Sequence, residues 1–302
     1  MKEYRFVQVD VFTKDIFGGN PLAVYPNAEG LSREEMQRIA REMNLSETTF
    51  VFDSTSSEAD FKVRIFTPQR EIPFAGHPVI GTCFVLSEEG RIGPKEGKRA
   101  TRLELGLGVF PVEVMFLGGE PVLVKMEQRS PEFLGIYAEM EVLARLLSLP
   151  LEKLDLLKGP AEIVSTGLPF LIVPLTSQRA LSRVKINPSI LETAAQELDT
   201  SLIAPFTKEG IEGNRIRARV FAPFHGVPED PATGSAAGCF GAYLARHGVI
   251  KVEPITSVEI EQGVEMHRPS LIQVELAIRE GTIEKVWVAG SVVRVLEGVI
   301  RF

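Results

Sequence analysis

Three short segments of the chain carry residue types and spacings suited to moving a proton on a small acid. In Asn44-Leu45-Ser46-Glu47-Thr48-Thr49-Phe50, Glu47 falls where a helical pattern ends and a strand pattern of Thr, Phe and Val begins. Beside apolar neighbours a carboxylate is desolvated, its proton affinity rises toward neutrality, and it becomes fit for general acid/base work. In Gly76-His77-Pro78, and again in Glu229-Asp230-Pro231-Ala232-Thr233-Gly234-Ser235, a glycine opens a helical pattern. The first N–H groups of a helix have no partner inside it and attract anions such as a substrate carboxylate. A glycine there permits close approach to the backbone. His77 lies in one first turn, while Asp230 and Ser235 supply an acceptor and a donor at the start of the other. Taken singly, each feature also has a plain structural explanation: a solvated carboxylate, glycines that make tight turns, or polar residues that cap N–H groups.

The remaining reactive residue types offer less. His247 falls at a helix C-terminus, where the dipole favours a cation, and His225 and His267 fall in Pro-containing loops. No pair of histidines has metal-ligand spacing and no C-x-x-C occurs, so no metal site is expected. Neither nucleotide fingerprint, G-x-G-x-x-G or G-x-x-x-x-G-K-[ST], is present. Facing thiols serve as acid and base in cofactor-independent racemases. Cys83 and Cys239, however, lie seven and five residues beyond the helix-opening glycines, which places them inside the helices as core thiols.

The elements that must hold these groups follow from periodicity. Residues 4–12 and Pro21–Tyr25 read as strands joined through Gly18-Gly19-Asn20-Pro21. Ser32 and Glu35 form a capping box, with Met36, Ile39 and Met43 as the apolar stripe of the helix that follows. Strands are predicted at 48–52, 61–66, 101–105, 109–116 and 121–127, with a helix from about Gly76 that ends before Gly90. The second half reads as a helix at 138–148, strands at 161–165 and 170–174, and a helix at about 188–198. A strand at 215–221, a small-residue helix from Gly234 to about His247 and three closing strands complete it. The pattern has too few regular β-α-β alternations for a doubly wound parallel sheet.

Segments recur at half the chain length. Arg64-Ile65-Phe66-Thr67-Pro68 matches Arg219-Val220-Phe221-Ala222-Pro223 at an offset of 155, and Cys83-Phe84 matches Cys239-Phe240 at 156. Gly19–Val24 resembles Gly167–Ile172 at 147 or 148. Several pairings in the same order favour duplication of one fold, and the 302 residues suit two copies of ~150 each. Such a fold is expected to place its site at the seam between halves.

Composition bounds the class. The balance of 44% hydrophobic and 24% charged residues is that of an ordinary globular protein, and no apolar run approaches a membrane span of ~20 residues. The net charge of −7 lacks the basic footprint of a nucleic-acid binder. The densest basic cluster, Lys95, Lys98, Arg99 and Arg102, is expected in a solvated loop. With two cysteines and an N-terminus that alternates like a strand, a cytosolic location is expected.

Taken together, DVFTKDIFGGNPLAVY, RIAREMNLSETTFVF, RIFTPQREIPFAGHPVIGT, VFAPFHGVPEDPATGSAAG with the following ARHG, and EIEQGVEMHRPS strongly resemble the PhzF-like family, named for the phenazine-biosynthesis isomerase. The resemblance spans almost the whole chain. It implies an α+β fold like that of diaminopimelate epimerase: two pseudo-symmetric halves, each a curved, mostly antiparallel sheet around a central helix. The halves are expected at 1–118, with a C-terminal strand at about 290–302 returning to the first, and at 119–289. It also implies a homodimer and a small-molecule carboxylate substrate, with no cofactor, metal, nucleic acid or membrane. The family reaction isomerises trans-2,3-dihydro-3-hydroxyanthranilate to its ketone by moving a proton across the ring. Carried over by motif, Glu47 is the expected shuttling acid/base, with His77, Asp230 and Ser235 supporting the transfer. Ser46, Gly76 and Gly234 are the expected substrate-binding positions. Gly76 and Gly234 stand where diaminopimelate epimerase and proline racemase have catalytic cysteines, which disfavours thiol chemistry. An amino-acid racemase or epimerase, and a non-catalytic metabolite-binding protein, are the alternatives.

Overall fold

The computed structural model describes residues 1–93 and 96–302. The chain forms two compact units, Met1–Glu127 with Ala289–Phe302, and Gln128–Val288. The first runs β1 (Glu3–Val11), β2 (Asn20–Tyr25), α1 (Arg33–Met43), β3 (Glu47–Asp53), β4 (Phe61–Phe66), β5 (Glu71–Ile72), α2 (Gly76–Glu88), β6 (Gly97–Leu105), β7 (Gly108–Leu117) and β8 (Glu120–Glu127). The second runs β9 (Glu132–Ile136), α3 (Met140–Leu146), β10 (Glu162–Ser165), β11 (Pro169–Pro174), α4 (Gln178–Ser182), α5 (Pro188–Leu198), β12 (Ile203–Thr207), β13 (Arg215–Ala218), β14 (Val220–Ala222) and β15 (Val227–Asp230). It continues through α6 (Gly234–Arg246), β16 (Ile255–Gln262), β17 (Ser270–Arg279) and β18 (Thr282–Gly290). The last strand, β19 (Val292–Arg301), belongs to the first unit and pairs antiparallel along all of β1, from Glu3 opposite Arg301 to Val11 opposite Val292.

Each unit is wound about a helix that is apolar on every side. In α2, residues Gly76 to Ser87 are all buried, and in α6 so are Gly234 and Ala236 to Leu244. A helix without a polar face belongs in a core. Small residues let the sheet close on it: a Cβ at Gly81 would meet Leu22 at 2.6 Å, and one at Gly241 would meet Val274 at 2.7 Å. Aromatic rings fill the rest, with Tyr25 stacked on Phe50 at 5.0 Å in one unit and Phe206 edge-on to Phe240 at 5.8 Å in the other. By contrast α1 lies at the surface, started by the reciprocal Ser32–Glu35 capping box and burying only Met36, Ile39 and Ala40.

The two units share their strand pairing step for step. In the first, β1–β2 is antiparallel, β2–β3 parallel across α1, β3–β4 and β4–β5 antiparallel, β4–β6 parallel across α2, and β6–β7 antiparallel. In the second, β10–β11 is antiparallel, β11–β12 parallel across α4 and α5, β12–β13 and β14–β15 antiparallel, β13–β16 parallel across α6, and β16–β17 antiparallel. The duplication is also chemical. Arg64 forks onto Glu71 through two bonds of 2.7 Å, and Arg219 forks onto Glu229 through two of 2.8 Å. From these glutamates onward, Glu71-Ile72-Pro73-Phe74-Ala75-Gly76-His77 aligns with Glu229-Asp230-Pro231-Ala232-Thr233-Gly234-Ser235 at an offset of 158.

Several expectations need correction. The strand predicted at 215–221 is broken at Arg219, whose N–H turns to Pro205 and whose guanidinium points inward to Glu229. The helix predicted at 138–148 is shorter, since no side chain caps its start and Ser148 takes a positive φ of 56°. Four strands rather than three follow α6, and β5, β9, β12, β15 and α4 were not foreseen. Lys98, Arg99 and Arg102 lie on β6 rather than in a loop, where the exposed Lys98 and Arg102 alternate with the buried Thr101 and Leu103; Lys95 lies outside the described residues. The boundary expected at 118/119 falls in the β7–β8 turn, and the chain divides after Glu127, so β8 stays with β7, to which it is joined by that turn.

Candidate active site

In the first unit the chain leaves α1 through Asn44, a left-handed residue (φ 49°, ψ 35°) whose N–H closes on Ala40. Three residues later Glu47 opens β3 opposite Leu22 of the parallel β2, with half-buried Ser46 in the turn between. The Glu47 side chain is 15% exposed, and its Oε2 lies 3.3 Å from Nε2 of His77, the second residue of α2. His77 is held from its other side by Asn20, the first residue of β2 and fully buried, whose Nδ2 is 3.3 Å from Nδ1. An amide nitrogen only donates, so Nδ1 accepts, and the proton of a neutral imidazole sits on Nε2, facing Glu47.

Burial pushes the His77 imidazole down to about 3, so at neutral pH it is uncharged. The contact is therefore a carboxylate beside a neutral N–H donor rather than an ion pair. The cause is desolvation of a ring whose side chain is only 6% exposed. His77 Nε2 makes no closed hydrogen bond in this orientation, and catalytic hydrogen bonds are commonly poorly aligned until substrate is in place. Gly76 is the first residue of α2, and Ala75 before it offers no side-chain cap to the helix N–H groups.

In the second unit Asp230 ends β15 and Gly234 opens α6, with Ser235 as its second residue. Thr233 stands in the N-cap position but does not cap the helix. Its hydroxyl is spent on Asp230, donating to Oδ2 at 2.5 Å. Gln262, at the end of β16, grips the same segment: its Oε1 accepts from Thr233 N at 3.1 Å, and its Nε2 donates to the Asp230 carbonyl at 2.7 Å. The Ser235 carbonyl accepts from Thr166 Oγ1 at 3.3 Å.

The residues picked from sequence thus gather within each unit, Glu47 with His77 in the first, and Asp230, Gly234 and Ser235 around one helix start in the second. Asn20 and Gln262 were missed. Asn20 read only as a turn residue, and Gln262 lay in a segment noted for its resemblance but assigned no role. The cysteines are fully buried in the central helices, Cys239 donating to the Leu168 carbonyl at 3.7 Å. Burial raises both thiols, Cys239 to about 12. His247 packs on Tyr243 and meets Glu162 at 2.7 Å, while His225 and His267 are exposed. Among the described residues no three His, Cys, Asp or Glu side chains are grouped as a metal site, and no helix is long and apolar enough to cross a membrane.

Comparison with known proteins places this architecture. The chain aligns end to end with a PhzF-family phenazine biosynthesis protein from Bacillus anthracis, at 30% identity and a TM-score of 0.90 over 100% of both chains. It shares its fold, at 12% identity and a TM-score of 0.66, with a hydroxyproline epimerase from Agrobacterium vitis, covering 99% of this chain and 92% of that one. A trans-2,3-dihydro-3-hydroxyanthranilate isomerase of Pseudomonas chlororaphis is 36% identical over 302 residues, 98% of this chain and 99% of the relative. Fold and relatives together define an isomerase on an α+β, epimerase-like scaffold. A family model for phenazine biosynthesis-like proteins, PhzC-PhzF, matches residues 9–298. The chain belongs to that family.

Proposed function

We propose that this isomerase shifts a proton between two carbons of a small cyclic or amino carboxylic acid, with Glu47 as the shuttling acid/base and no cofactor. The observation that carries the reading is the Glu47–His77 contact, in which Nε2 of a nine-tenths buried neutral imidazole lies 3.3 Å from a carboxylate 15% exposed. The carboxylate takes a proton from one carbon, and the electron pair of the broken C–H bond delocalises through the substrate. The same proton then forms a C–H bond at a second carbon, and Glu47 ends as it began. The step is redox-neutral and needs no external acid. One base serves two positions only if it is held within about 3 Å of each, which is what a fixed partner contributes. His77 steadies the carboxylate and, kept neutral, does not neutralise it. Asp230 and Ser235 orient polar groups of the substrate. The resemblance assigns Ser46, Gly76 and Gly234 to substrate binding, and the unsatisfied N–H groups of a helix start suit a carboxylate.

The 36% identical relative named for trans-2,3-dihydro-3-hydroxyanthranilate makes that compound the first substrate to test. Incubation in deuterated water followed by NMR, for wild type and Glu47→Gln, reads both turnover and the origin of the transferred proton. We expect ketone formation in the wild type and a loss of roughly 100- to 10,000-fold in the variant. Turnover independent of Glu47 would sink the mechanism. The resemblance also supports a homodimer, which sedimentation velocity checks directly.

A further inference from the structure

We propose that Gln262 and Thr233 form a fixed relay that holds Asp230 as a hydrogen-bond acceptor, making both positioning residues for the reaction; the inference rests on the role given to Asp230 above. The side chain of Gln262 is buried in a residue only 1% exposed, and its orientation is dictated by its partners. Thr233 N–H requires an acceptor and the Asp230 carbonyl requires a donor, so Oε1 faces the first at 3.1 Å and Nε2 the second at 2.7 Å. The second proton of that amide is directed at Thr233 Oγ1, 3.1 Å away. A hydroxyl has one proton and two lone pairs: Thr233 accepts from Gln262 on a lone pair and gives its proton to Asp230 Oδ2 at 2.5 Å. Direction therefore runs one way, from amide to hydroxyl to carboxylate, and Asp230 is cast as acceptor in a set rotamer. The backbone just beyond is pinned as well, since Ser270 Oγ donates to the Pro231 carbonyl at 3.0 Å.

The relay is not what the fold needs to open a helix. The first unit carries the same Arg–Glu fork and the same Glu-x-Pro-x-x-Gly run, yet Ile72 and Ala75 stand at the places of Asp230 and Thr233. There α2 starts with no side-chain cap at all. The same frame with and without the relay separates scaffold from chemistry: what the second unit adds is a carboxylate and the groups that fix it.

The test compares Thr233→Val, Thr233→Ser and Asp230→Asn in the full chain. Valine keeps the shape and removes the hydroxyl; serine restores the donor. With trans-2,3-dihydro-3-hydroxyanthranilate we expect Thr233→Val to lower kcat roughly 10- to 100-fold with KM within about threefold, the pattern of lost orientation rather than lost binding. Thr233→Ser should recover kcat to within about threefold of wild type, as a retained hydrogen bond requires. A turnover-independent readout is the 13Cγ resonance of Asp230, one of seven aspartates, assigned by its disappearance in Asp230→Asn. It should move in Thr233→Val and return in Thr233→Ser. Wild-type kcat or an unmoved Asp230 signal in Thr233→Val, or a serine variant as poor as valine, overturns the relay. Wild-type kcat in Asp230→Asn instead overturns the role of Asp230 itself, so the two failures are distinguishable.

Discussion

Arg219 donates through Nε and Nη2 to the two carboxylate oxygens of Glu229, each at 2.8 Å, and lies over the ring of Phe221 at 4.7 Å. One repeat earlier Arg64 does the same to Glu71 and lies over Phe66 at 5.3 Å. In both cases the carboxylate stands five residues before the glycine that opens the central helix, Gly76 or Gly234. A bidentate fork fixes both distance and plane, so the arrangement sets where the intervening loop, and with it the helix start, is delivered. The two forks differ in burial. Arg219 is only 9% exposed at its side chain and also caps the Leu181 and Val184 carbonyls, whereas Arg64 is 25% exposed.

That difference predicts unequal costs. Glu229→Ala strands a buried guanidinium and should destabilise by about 3 kcal/mol. Glu71→Ala, in a wetter fork, should cost about 1 kcal/mol. Urea unfolding of the two variants measures both, and equal losses would show that burial does not govern the forks.

His77 makes a pH prediction with a definite sign. Its ordinary value of 6.5 is pushed by burial down to about 3. Below pH 6.5 the unfolded chain takes up a proton on this imidazole, and the folded chain does not until about pH 3. The unfolded state then binds more protons, so stability falls as the pH drops across that window, with a limiting slope of about 1.4 kcal/mol per pH unit. His77→Gln should flatten that portion of the curve when urea midpoints are compared at pH 7 and pH 4.5. Nitrogen-15 spectra, with the His77 signals assigned by their loss in His77→Gln, should show that ring neutral at pH 5 with its proton on Nε2. A His77 ring that titrates near 6.5 would contradict the burial argument.

Much of this was legible in the sequence, for reasons that differ by element. The helix starts were readable because their signals are local: Ser32 with Glu35, Pro78 after Gly76, and Gly248 past the end of α6 all act within one turn. Glu47 and His77 could be named singly, but their contact joins a strand start to a helix start thirty residues apart, and only tertiary structure brings them to 3.3 Å. Asn20 was hidden by its company, since Gly18-Gly19-Asn20-Pro21 reads fully as a turn while its amide does separate work on His77. Gln262 sits in an alternating strand where its burial is what periodicity predicts for an apolar residue. The split at Arg219 was invisible because its cause, Glu229, lies ten residues away.

The cysteines give a prediction that separates thiol chemistry from carboxylate chemistry. Cys83 and Cys239 are fully buried and burial holds both thiols protonated, so neither has the exposure or thiolate character of a reactive group. The double variant Cys83→Ala, Cys239→Ala should keep kcat/KM within about threefold while losing roughly 1–2 kcal/mol of stability from lost packing. Both thiols should resist a disulfide reagent until urea is added. Loss of turnover in a folded double variant would revive the racemase alternative.

Gly263 and Gly281 form the sharpest internal control, because both hold positive φ, +76° and +77°. At Gly281, in the turn between β17 and β18, an added Cβ meets nothing, so alanine costs only the backbone strain of the left-handed region, about 1 kcal/mol. At Gly263 the same atom would fall 2.3 Å from the Arg268 carbonyl oxygen and 2.6 Å from that of Pro231. Both obstacles are backbone, so they yield only if the segment moves. Pro231 follows Asp230, and Gln262 adjoins the substituted residue, so the displacement pulls apart the two ends of the relay. Gly263→Ala should therefore lose a further 1–3 kcal/mol, in the range of overpacking, and its folded fraction should turn over roughly tenfold more slowly. Gly281→Ala should turn over at the wild-type rate. Urea unfolding and single-substrate kinetics on the pair decide it, since equal kcat in the two variants would mean that Asp230 tolerates movement of the backbone beside it.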